Sequence, residues 1–67
     1  MSSLGELLPE EIKRVLDLRD LYVELGPPGM IGAALMRAAI HRALDAYKSG
    51  DVVEMLHAYQ DLKGCEG

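Results

Sequence analysis

An all-α protein, a small three-helix bundle, is the fold class this sequence predicts, and three observations predict it. Apolar residues recur at three- and four-residue spacing along three segments. Two breaks, Gly26-Pro27-Pro28-Gly29 and Gly50-Asp51, separate those segments. No run sustains the period of two that a half-buried strand needs, and no Asn-Gly or Asp-Gly hairpin turn occurs.

The first helix is expected over about residues 9–25. Pro9 suits a first helical position, where its missing N–H costs nothing, and Glu10 and Glu11 favour the positive end of the helix dipole. Val15, Leu18, Tyr22 and Leu25 form one stripe expected to be buried. Glu10–Arg14 and Lys13–Asp17 stand at i,i+4 on the wet side. Leu4, Leu7 and Leu8 precede this helix; they either staple its start or join a partner. Gly26 is expected to end it in a left-handed conformation, and two prolines prevent its continuation.

The second helix is expected over residues 30–49 and at the centre of the bundle. Met30, Ile31, Ala34, Leu35 and Ala38 make one apolar face, and Met36, Ile40, Ala43, Leu44 and Tyr47 make another. An apolar arc this wide calls for cover on more than one side. Gly50 ends the helix. Asp51 then opens a third segment, residues 51–63, with Glu54 completing an aspartate form of the capping box. Val52, Met55, Leu56, Tyr59 and Leu62 make its seam. Residues 64–67 are expected to fray.

With 67 residues the chain is read as one domain, in the size range where a single core is marginal. A disulfide within the chain is impossible, because Cys65 is the sole cysteine. Zinc is poorly served: His41, His57 and Cys65 fall short of four ligands. Self-association, as a homodimer, is the remaining source of extra burial.

Catalysis finds no support. Threonine is absent, and Ser2, Ser3 and Ser49 lie at a terminus and a helix end. His41 and His57 each precede an aspartate by four residues, which reads as ordinary surface pairing with Asp45 and Asp61. A bundle this small is also expected to lack a ligand pocket of roughly 300–1,000 Å³. No enzyme activity and no cofactor are therefore expected. A net charge of −4 argues against non-specific nucleic-acid binding and against docking on an anionic membrane. No apolar run approaches the roughly 20 residues of a membrane span, and the N-terminus lacks the pattern of a signal peptide. A cytoplasmic setting is the expectation.

What remains is a protein–protein interaction module. Methionine adapts to irregular partners and tyrosine is enriched in interfaces, so the candidate interface residues are Met30, Met36, Ile40, Tyr47 and Tyr59. The alternative is a small dimeric DNA-binding transcriptional regulator, with the second or third helix reading the duplex. Glu54 and Asp61 against Lys63 give the third helix the wrong sign for phosphate.

Arg19-Asp20-Leu21-Tyr22, the Gly-Pro-Pro-Gly turn, Ser49 to Leu56 and Tyr59 to Lys63 together carry a likeness. From Leu18 to Lys63 the chain resembles short accessory proteins of Mu-like phages and bacterial prophages. The resemblance is one of overall pattern and transfers no functional residue. It implies a bacterial cytoplasmic setting and modulation of a host protein.

Overall fold

The computed structural model describes residues 3–65. Met1 and Ser2, at the start of the segment read for a signal peptide, and Glu66 and Gly67, in the expected frayed tail, lie outside them. The described residues form α1 (Leu4–Glu24), a short 3₁₀ turn (Pro27–Gly29), α2 (Met30–Ser49) and α3 (Val52–Lys63). All three helices pack on one another. The second helix therefore touches both neighbours, as expected, but α1 and α3 also meet directly.

The first helix begins at Leu4, ahead of the expected Pro9, with Ser3 as its N-cap residue. Pro9 thus sits within the helix, where it removes the bond to Gly5 and crowds that carbonyl, at a cost of about 3 kcal/mol. Gly5 is exposed, so water can take up its carbonyl. The opposing gain is Leu8, which is 0% exposed in the core, with Leu4 packed against its edge. Complete burial of such a side chain contributes about 1.5–3 kcal/mol. Leu8 therefore belongs to the core and Leu4 to its edge, while Leu7 is half-buried.

Leu8, Ile12 and Val15 from α1 meet Met36, Ala39, Ile40, Ala43 and Ala46 from α2 and Met55, Ala58 and Leu62 from α3. Alanines contribute much of the shared surface, which lets the helix axes approach closely. The expected stripe on α1 holds at Val15 and is half-buried at Leu18 and Tyr22, but Leu25 is exposed. On α3 the seam is Met55, Ala58 and Leu62, with Tyr59 half-buried and Val52 and Leu56 exposed.

The helix ends follow from local chemistry. Gly26 takes φ 77° and ψ −150°, a positive-φ conformation outside the expected left-handed helical region and open only to glycine. The next turn brings Gly32 beneath Tyr22: a Cβ at Gly32 would lie 2.6 Å from the ring. α2 ends at Gly50 with φ 72°. The Asp51 carboxylate accepts from the amides of Val53 and Glu54, as expected of its cap. The reciprocal half of the box is replaced, because the Asp51 amide donates to Ser49 Oγ at 3.3 Å.

Candidate interaction surface

Two arginines mark where α3 ends against the other helices. Arg14 on α1 donates from Nη2 to the Leu62 carbonyl at 2.8 Å and from Nη1 to the Cys65 carbonyl at 3.0 Å. Arg42 on α2 lies 3.8 Å from the Asp61 carboxylate. Arg14 also pairs with Glu11 at 3.0 Å, in place of the expected Glu10. The described part of the tail is held at Cys65, which is half-buried and packs against the core.

Helix length explains what lies past this point. α3 has 12 residues against 21 and 20 in α1 and α2. At 1.5 Å per residue it stops about 12 Å short of α2's far end. On α1, the face of Arg14 continues four, seven and eleven residues on with Leu18, Leu21 and Leu25. On α2, the face of Arg42 continues at the same distances backwards with Ala38, Leu35 and Ile31. Both arms of the hairpin therefore extend the seat of α3 with apolar side chains and no charge. Among the described residues these side chains stay largely uncovered: Leu21 is 58% exposed, Leu25 65%, Ile31 77% and Leu35 67%.

The expected interface residues divide. Met30 and Tyr47 are exposed, and Tyr59 is half-buried beneath Lys63, whose Nζ stands 5.5 Å from the ring centroid. Met36 and Ile40 are buried in the core between the three helices. The physical reason is the direction of the apolar arc. Met36, Ala39, Ile40, Ala43 and Ala46 face inward, so the free half of α2 is the Ile31–Leu35 side. Leu21, Leu25, Ile31 and Leu35 are exposed apolar residues that the sequence reading did not count among the candidates. The shortness of the third segment was the signal that could have found them.

A second surface adjoins this strip along α2 and shares Ala38 with it. An open groove of about 550 Å³ runs between the C-terminal half of α1 and the N-terminal half of α2. The expectation that so small a bundle has no space of this size is corrected. The groove has an alanine floor and carries Arg19, Arg37 and His41 along its banks.

Neither histidine bonds to the aspartate expected for it; Asp61 faces Arg42 instead. Among the described residues no three His, Cys, Asp or Glu side chains cluster to hold a metal ion. Among the described residues no helix is long and apolar enough to cross a membrane.

The chain matches no protein-family model, no curated protein and no solved structure.

Proposed function

We propose that this chain is a non-catalytic protein–protein interaction module that acts as a homodimer. The observation that carries this reading is the uncharged strip of Leu21, Leu25, Ile31 and Leu35 beyond the end of α3. Soluble monomers rarely leave large contiguous apolar patches open to water. Each of these side chains, once covered, contributes about 1–2 kcal/mol from the surface it still exposes. A second copy is the fitting cover. The strip offers no charge for an oppositely charged partner to read, and two identical strips related by a two-fold axis are self-complementary. Two hairpins laid face to face would complete a four-helix arrangement from the half of each protomer that α3 does not reach.

The likeness to accessory proteins of Mu-like phages supports a bacterial host protein as the further partner and the cytoplasm as the setting.

Light scattering after size-exclusion chromatography tests the dimer. Wild type is expected at twice the protomer mass at micromolar concentration. Leu35→Glu, which adds a charge at an already exposed position, is expected at the protomer mass with its helical circular dichroism intact. A wild-type protomer mass at every concentration would refute the homodimer.

A further inference from the structure

We infer that the groove between α1 and α2 receives an amphipathic helix of a second protein, one whose apolar stripe is flanked by carboxylates. The inference rests on the interaction-module reading and names the class of partner.

The shape comes from small side chains. Ala33, Ala34 and Ala38 line the floor, while Val23 and Met30, both about half exposed, stand at the sides. Short side chains between long ones leave a recess that bulky side chains can enter. The recess runs from Met30 to His41, about three helical turns or roughly 16 Å. A partner helix laid along it would insert one apolar side chain per turn, the arrangement of helix-in-groove recognition. Met30, flexible and polarizable, can adapt to the inserted group.

The positive charge comes from both helices, Arg37 on α2 and Arg19 on α1, and the polar ring of His41 lies four residues beyond Arg37. Asp20 is the acidic group at the groove, and it is already paired with Arg19 at 3.1 Å. Arg37 and His41 make no hydrogen bond or ion pair among the described residues. α2 carries three Lys and Arg against one acidic residue, in a chain with seven against eleven overall. Of those three only Arg37 lines the groove, where with Arg19 it stands against the single carboxylate of Asp20, although the protein as a whole is acidic. Carboxylates flanking an apolar stripe match that pattern, with Arg37 able to hold one in a bidentate pair.

A nucleic-acid backbone fits less well. It would leave the recessed apolar floor empty, and the net charge of −4 opposes it at long range.

The test uses the full chain and a fluorescein-labelled synthetic helix of about 18 residues, long enough to span the groove. Its leucines repeat at three- and four-residue spacing and are flanked by glutamates. A second peptide carries lysine at every glutamate position, and a third scrambles the acidic sequence to destroy the stripe. Fluorescence anisotropy should show saturable binding of the acidic helix and at least about tenfold weaker binding of the other two. Ala34→Leu, which fills the recess from an exposed position, should weaken the acidic helix by a similar factor. Arg37→Glu should reverse the preference between the acidic and basic peptides. Equal binding of all three peptides, indifference to both substitutions, or tighter binding of a short DNA duplex would overturn the inference.

Its failure is separable from failure of the dimer. A dimer lost in Leu35→Glu, with no acidic-helix binding, removes the groove partner and leaves the proposed function standing. Acidic-helix binding by a strictly monomeric protein supports the groove and removes the homodimer.

Discussion

Arg14 on α1 reaches across 48 residues of sequence to the Leu62 carbonyl at the end of α3, which also accepts from the Cys65 amide at 3.0 Å. The last carbonyls of a helix have no intrahelical donor, and here a guanidinium gives one N–H to Leu62 and a second to the Cys65 carbonyl just beyond the helix. Its positive charge also suits the negative end of the α3 dipole. One side chain therefore caps α3, anchors Cys65 and sets where the third helix stops against the first.

Arg14→Ala should destabilise the protein by about 1–2 kcal/mol, the scale of losing charge-assisted bonds at a partly buried site. Arg14→Lys should recover only part of it, since an ammonium cannot present the same planar fork. Urea unfolding gives both values. Amide exchange in the last turn of α3 should quicken in Arg14→Ala before that in α2.

Asp51→Ala removes an acceptor from the Val53 and Glu54 amides. The expected cost is about 1 kcal/mol, with Asp51→Ser losing less. Thermal unfolding of the three proteins should order them wild type, Ser, Ala.

Two glycines within helices should respond in opposite senses. At Gly32 an added Cβ would meet the Tyr22 ring, so the ring must move. Gly32→Ala should cost about 1–3 kcal/mol despite alanine's better helix propensity. At Gly5 the nearest atom to an added Cβ is Ser3 Oγ at 3.7 Å, ordinary contact distance. Gly5→Ala should stabilise by about 0.5 kcal/mol. Chemical denaturation of both variants side by side checks the difference in sign.

Met36 and Leu35 are sequence neighbours with opposite roles. Met36 is buried between the helices, and Met36→Ala should cost about 2–5 kcal/mol of folding stability. Leu35→Ala, at an exposed position, should change the stability of the isolated protomer by under about 0.5 kcal/mol. Unfolding at low protein concentration separates the two, because the proposed dimer would then contribute little.

These pairs also show what the sequence could carry. Periodicity placed α2 at Met30–Ser49, and the preference of aspartate for N-caps placed the start of α3. Periodicity marks an apolar face but is silent on what covers it. Leu25 shares the spacing of Val15 yet is exposed, because α3 ends near Arg14. Met36 and Ile40 read as interface and turned out to be core for the complementary reason: a wide apolar arc does not announce which half faces inward. Ala46 and Ala58 were not read as core because alanine carries a weak hydrophobic signal, though each is buried. Cys65 looked like a loose tail because its partner lies 51 residues away. Pro9 misplaced the start of α1, since a local rule about proline was outweighed by burial of Leu8.

Mixed isotope labelling tests most directly what covers the strip. One batch carries carbon-13 methyl groups, the other is unlabelled, and the two are combined at millimolar concentration. Filtered NOE spectra then report contacts between copies alone. Cross-peaks joining the methyls of Leu21, Leu25, Ile31 and Leu35 to a second copy are the expected result. Spectra with no contacts between copies, or with contacts confined to other residues, would contradict the account.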